Sequence, residues 1–270
     1  MRLATKRSWG GSIGGSILFE VSADLALILV CAAFLAGFVD AIAGGGGLIT
    51  VPVLLLCGLT PAQALATNKL QGCFGSGTAA LTYARSGHVN LASQWQMALV
   101  ALVASGLGAL IALALPTDML RNVMPFILTA VALYFWLRPG LTDAARVRRL
   151  APVAFGATFV PLVAIYDGFF GPGAGSFYML GFVLLAGHGL LQATAHTKLL
   201  NFASNFGSLM VFAIGGHILW AIGLTMALAQ VAGANLGARV AMRIGARLIR
   251  PLLIVVCLAL AARLLWQTYG

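Results

Sequence analysis

Two lysines, two aspartates and two glycine-rich runs carry most of the chemistry this sequence offers. Asp40 precedes Gly44, Gly45, Gly46 and Gly47 in VDAIAGGGGLITVP, and Lys69 follows in ALATNKL. Asp167 precedes Gly171 and Gly173 in YDGFFGPGAGSFY, and Lys198 follows in ATAHTKLLNFASNFG. All of this lies in strongly apolar sequence, where a charge is costly and four consecutive glycines make poor helix. A helix broken at membrane depth is tolerated only where protein or a water-filled cavity covers it. The helix that restarts there presents free amide groups and partial positive charge, which suits an anion. Paired breaks in corresponding halves are a pointer to a transport site. The competing reading is that the glycines only let helices approach closely.

Lys69 and Lys198 lie about eight residues inside their expected helices, too deep for easy snorkelling, so each needs a buried anion. One candidate is the aspartate of its own half, giving Asp40–Lys69 and Asp167–Lys198 as structural locks. The other is a transported anion that alternates with the aspartate, which couples binding to carboxylate protonation. Thr67, Asn68 and Gln71 surround Lys69; His196, Thr197, Asn201 and Asn205 surround Lys198. Asn201 at i+3 and Asn205 at i+7 share the lysine's helix face, whereas Gln71 is off the face of Lys69. His196 either relays protons or hydrogen-bonds a neighbouring helix. His88 and His217 follow glycine at turn-like ends and read as interfacial, and His188 in AGHGL reads as a loop residue.

Other chemistries find little support. The histidines are far apart, no cysteine pair accompanies them, and there are only six acidic residues, so no metal, no cofactor and no enzyme are expected. GCFGSGT at 72–78 fails the nucleophile-turn spacing because Phe74 takes the place of the first glycine around Ser76. No phosphate-binding loop is present, which argues against direct ATP coupling.

The elements that must position these residues are membrane helices. Charged residues make up 8% of the 270 and hydrophobic ones 61%, against roughly 25% charged in a soluble domain. Apolar runs of spanning length recur from Leu25 to Trp266, so the fold class is all-α, a polytopic transmembrane bundle. A barrel would alternate in short strands. The net charge of +10 is concentrated rather than spread: Arg138, Arg146, Arg148 and Arg149 form one cluster, and Arg239, Arg243, Arg247 and Arg250 another. Basic loops beside spans mark the cytoplasmic face and anionic headgroups, so the partner is the lipid bilayer and not nucleic acid. Cys31, Cys57, Cys73 and Cys257 sit in apolar runs and read as packing residues. Trp95, Trp136, Trp220 and Trp266 stand near span ends as interfacial anchors. Residues 1–24 read as a flexible lead and not a signal peptide.

The second half repeats the first. Asp40 matches Asp167 at an offset of 127, while Lys69 with Lys198 and His88 with His217 match at 129. The expected organisation is a first repeat over 25–138, a basic linker over 139–150 and a second repeat over 151–270. The first repeat holds segments near 25–43, 47–58, 61–85, 94–115 and 122–138. The second holds segments near 151–170, 174–187, 190–213, 218–237 and 251–267. That gives 8–10 membrane segments, with the glycine-rich ones short or broken. Thr60-Pro61-Ala62-Gln63 supplies a capping box for the third segment. Five elements per copy make the second repeat inverted relative to the first. Starting outside places Arg85 and both arginine clusters inside, with Arg2, Lys6 and Arg7 the conflict.

The residues AGFVDAIAGGGGLITVPVLLLCGLTPAQALATNKLQG, YDGFFGPGAGSFY and ATAHTKLLNFASNFG closely resemble the sulfite exporter TauE/SafE family, also called the 4-toluene sulfonate uptake permeases, and within it the YfcA-type branch. The resemblance runs from about Leu25 to Trp266. It implies a bacterial inner-membrane permease of duplicated halves that moves sulfite, organosulfonates or related sulfur-containing anions. It carries the site onto Asp40, Gly44 to Gly47, Asn68 and Lys69, and onto Asp167, Gly171, Gly173, His196 and Lys198. Pro172, Ala174 and Thr197 break the match between the halves. The expectation is a secondary transporter for small anions working by alternating access at a midplane site. An anion channel and a non-transporting membrane scaffold are the alternatives.

Overall fold

The structure is a computed structural model. It describes residues 23–116 and 147–244, with positions 118–120, 122, 123, 126 and 130 between them. The lead before residue 23, most of the segment near 122–138 and the whole of that near 251–267 lie outside the described residues. So do Arg138, Arg146, Arg247, Arg250, Trp136, Trp266 and Cys257. Among the described residues the chain forms helices and no strand.

The elements run in order α1 (Ala23–Ala43), α2 (Gly47–Leu56), α3 (Pro61–Arg85) and, after a 3₁₀ turn at Leu91–Gln94, α4 (Trp95–Ala114). There follow α5 (Pro152–Phe169), which contains a π turn at Phe155–Phe159, then α6 (Ala174–Leu184), α7 (Leu190–Ile214) and α8 (Trp220–Ile244). Four of them are long and apolar enough to cross a membrane: Leu25–Ala43, Leu91–Ala114, Pro152–Phe169 and Trp220–Ile244. α3 and α7 have 25 residues each, about 37 Å at the usual helical rise, but they hold the buried polar residues and are less apolar. α2 and α6, with 10 and 11 residues, reach about 15 Å, half of the ~30 Å hydrocarbon thickness. The protein is a helical membrane bundle.

α3 starts where its sequence says it should. Thr60 accepts from the Gln63 amide at 3.3 Å, the Gln63 side chain accepts from the Thr60 amide at 3.1 Å, and Pro61 occupies the first turn. The boundary that differs most is that of α8, expected to end near 237. It runs on to Ile244 because Gly237, Ala238 and Ala241 stay buried while Arg239 and Arg243 point out. These arginines therefore lie on a helix end and not in a loop.

α3 and α7 pack against each other. α8 packs between α1 and α3, and α4 packs between α5 and α7. Small residues permit the close approach. Added Cβ atoms at Gly233 and Gly237 would enter the backbone of Phe34 and Phe38 on α1, and one at Gly168 would enter the backbone of Ser105 on α4. Leu99, Val103, Leu107, Leu110, Leu224 and Leu228 face outward and exposed. The bundle thus turns apolar side chains outward as well as into its core and keeps Asp40, Lys69, Asp167 and Lys198 buried within, as a lipid solvent requires.

Candidate functional site

The two glycine breaks meet at the centre of the bundle. α1 ends at Ala43, Gly44 and Gly45 take φ of +77° and +94°, and α2 starts at Gly47. α5 ends at Phe169, Gly171 and Gly173 take φ of +92° and +86°, and α6 starts at Ala174. These left-handed angles suit glycine and strain other residues. The breaks touch: a Cβ on Gly44 would run into the Gly175–Ser176 backbone, and one on Gly47 would lie 3.3 Å from Pro172. The Ser176 hydroxyl closes the seam by donating to the Ala43 carbonyl at 2.8 Å.

Between the breaks and the helices α3 and α7 lies a cavity of about 20 Å³. Ten of the sequence-predicted residues line it: Asp40, Gly45, Gly46, Gly47, Asn68, Asp167, Gly171, Gly173, Asn201 and Asn205. Gly72, Gly175 and Gln230 complete the wall. Lys69 and Lys198 stand directly behind it, fully buried and bonded to the two aspartates.

The pairing is crossed between the halves. Lys69 Nζ lies 2.5 Å from Asp167 Oδ1, and Lys198 Nζ lies 3.4 Å from Asp40 Oδ2. The own-half pairs Asp40–Lys69 and Asp167–Lys198 are thereby overturned. The physical reason is topological. α3 and α7 pack against each other, and the lysine of each reaches the aspartate on the broken helix of the other half and not its own.

The first break places opposite charges where its backbone favours them. Lys198 also donates to the Asp40 carbonyl at the C-terminal end of α1. The Asp40 carboxylate accepts from the Gly46 amide at 3.2 Å, just ahead of α2. The anion position inferred from the glycine run is therefore filled by a side chain of the protein itself. Asp167 Oδ2 accepts from the Ser204 hydroxyl, and Asn68 Oδ1 accepts from the Thr50 hydroxyl at 2.6 Å. Asn201 Nδ2 reaches Asp40 Oδ2 at 3.5 Å.

Other expected residues go elsewhere. His196 is not in the cavity wall: its Nδ1 bonds the Gln94 amide, and its ring packs on His188 at 4.5 Å and Phe182 at 5.4 Å. Thr67 accepts from the Leu219 amide and Thr197 donates back to Ala193. Both amide atoms of Gln71 are buried without a hydrogen-bond partner. Ser76 lies inside α3 and donates to Gly72 O, a back-bond within one helix rather than an exposed nucleophile turn.

Gln230, Ser204, Thr50 and Ser176 escaped sequence reasoning. The available signal was a lone amide or hydroxyl in an apolar span, too common without knowing which face turns inward. No group of three or more His, Cys, Asp or Glu residues that could hold a metal occurs among the described residues.

Residues 29–264 match the family described as "Sulfite exporter TauE/SafE". Among curated relatives, "Probable membrane transporter protein ORF9" of Sinorhizobium sp is 54% identical over 246 residues, covering 91% of this chain and 94% of the relative. "Probable membrane transporter protein YfcA" of Escherichia coli (strain K12) is 45% identical over 253 residues, covering 94% of each. A "Probable membrane transporter protein" of Haemophilus influenzae is 42% identical over 248 residues, covering 92% of this chain and 97% of the relative. No solved structure matches the chain. The family description and the names of these relatives indicate a membrane transporter, and the chain belongs to the sulfite exporter TauE/SafE family.

Proposed function

We propose that the protein is a secondary transporter of small anions in a bacterial inner membrane, carrying sulfite, organosulfonates or related sulfur-containing anions by alternating access. The observation that carries this reading is the Asp40 carboxylate seated on the Gly46 amide beside the Lys198 ammonium. An anionic substrate needs the same two partners, and a sulfonate presents the same kind of acceptor oxygens. Substrate and carboxylate then compete for one cation. Carboxylate protonation is what lets the substrate win, and this couples transport to protons. The family's description and the names of its members support transport; the choice of sulfur oxyanions rests on the family's description alone.

At about 20 Å³ the cavity has room for about one water. On this reading the structure is a closed state, and a sulfonate enters when the two breaks separate. Alternating access needs two bodies that rock about a fixed site. The reading takes these as two inverted repeats. Its support is the reciprocal packing: α1 with α8 corresponds to α5 with α4, and α3 with α8 corresponds to α7 with α4.

Counterflow in proteoliposomes tests the reading. Vesicles are loaded with unlabelled sulfite, taurine, sulfoacetate, thiosulfate or sulfate, and uptake of the matching labelled anion is followed. Transient accumulation by the wild type, absent in the Lys69→Met/Lys198→Met variant, is the expected result. Current without counterflow makes the protein a channel. Neither, from folded protein, makes it a scaffold and reduces the lysines to locks.

A further inference from the structure

We propose that the two lysine–carboxylate pairs are unequal: Asp40–Lys198 is the pair that opens, with Asp40 taking the proton and Lys198 receiving the anion, while Lys69–Asp167 is a fixed strut. The inference rests on the carrier reading above and assigns its coupling residue.

The geometry separates the pairs. Asp167 is fully engaged, with Oδ1 at 2.5 Å from Lys69 Nζ and Oδ2 accepting from Ser204, and its side chain is 3% exposed. Asp40 is held loosely, with contacts of 3.2 Å to Gly46 N, 3.4 Å to Lys198 Nζ and 3.5 Å to Asn201 Nδ2. All three sit at or beyond the long end of hydrogen-bond distances, and the side chain is 10% exposed. The close contact of Lys198 is instead the Asp40 backbone carbonyl. Lys198 therefore keeps one partner when the carboxylate lets go, whereas Lys69 has the Asp167 carboxylate as its hydrogen-bond acceptor.

The difference originates in the sequence. At the offset of 129, Ser204 corresponds to Gly75, so Asp40 has no equivalent of the hydroxyl that clamps Asp167. Gln230 fills the space over Gly75, with Nε2 2.9 Å from where a Cβ would lie. Gln230 lines the cavity, is 97% buried and leaves Oε1 without a donor. On this proposal the proton reaches the cavity as a hydronium, and the water it leaves behind after protonating Asp40 is the donor to Gln230 Oε1.

Groups face Asp40 from every neighbouring element: Lys198 and Asn201 on α7, the Gly46 amide before α2, Tyr83 on α3 bonded to Ala41 O, Ser176 on α6 bonded to Ala43 O, and Gln230 on α8. Only Lys198 and Tyr83 among them titrate, and the Lys69–Asp167 pair stands across the cavity. In the step itself, an O–H bond of a hydronium in the cavity breaks and one forms on Asp40 Oδ2. The carboxylate loses its charge, Lys198 stays an ammonium, and one negative charge of the incoming anion replaces the one lost.

The test is infrared difference spectroscopy of the purified full chain in bilayers on acidification, without substrate, beside labelled-sulfite uptake under an inward proton gradient. Expected is one component of the protonated-carboxyl band that Asp40→Asn removes, Asp40→Glu shifts and Asp167→Asn leaves, over the background of the other acidic residues. In Asp40→Asn, uptake falls to the level without a gradient. A protonated-carboxyl signal identical in the wild type and in Asp40→Asn overturns the proposal. If Asp167→Asn fails to fold, the Asp40→Asn spectrum still decides. The spectrum needs no substrate, so a failure of sulfite counterflow counts against the substrate reading and not against this one.

Discussion

Replacing Lys69 by methionine strands the Asp167 carboxylate, which is 2% exposed as a residue. Breaking a buried pair from one side costs about 3–5 kcal/mol, because the remaining charge stays desolvated. Adding Asp167→Asn removes that charge and keeps an acceptor for the Ser204 hydroxyl. The Lys69→Met/Asp167→Asn variant should therefore regain most of the loss, a coupling of about 3 kcal/mol. The control is Lys69→Met/Asp40→Asn. The crossed geometry leaves both Asp167 and Lys198 unpaired there, and stability should fall below that of either single variant. The assay is unfolding of purified protein in detergent micelles by added SDS, followed by tryptophan fluorescence and repeated at high salt. Full burial predicts little salt dependence. Recovery in Lys69→Met/Asp40→Asn, with none in Lys69→Met/Asp167→Asn, would refute the crossed pairing.

Gly168→Ala drives a Cβ into the Ser105 backbone and should destabilise by about 1–3 kcal/mol as overpacking. Gly58→Ala, with φ of +89° and open space around it, should cost about 1–2 kcal/mol through backbone strain alone. The same SDS titration ranks the two. Thr60→Ala removes the α3 cap and should cost about 1 kcal/mol while counterflow persists, since the cap lies far along the helix from Lys69. Ser76→Ala should leave counterflow intact, because the hydroxyl only back-bonds to Gly72; abolished transport would show that this hydroxyl has a role beyond the helix.

The helices were legible because their signals are local. A capping box starts α3 and glycines interrupt α1–α2 and α5–α6, each readable from a few consecutive residues. Asn201 and Asn205 were legible at the cavity because they share a helix face with Lys198. Which helix that face meets was not. Lys69 is 98 residues from Asp167 and 29 from Asp40, so the nearer aspartate looked like the simpler partner. Helical periodicity fixes the direction of a side chain about its own axis and says nothing about the crossing of two axes. The packing of α3, α7 and α8 decided the pairing, recruited Ser204 and Gln230, and left His196 against Gln94 and His188. The sequence by itself determined the membrane class, the breaks and the charged residues that need partners. The tertiary structure decided who those partners are, because a buried charge is satisfied by whatever the packing brings within hydrogen-bond reach.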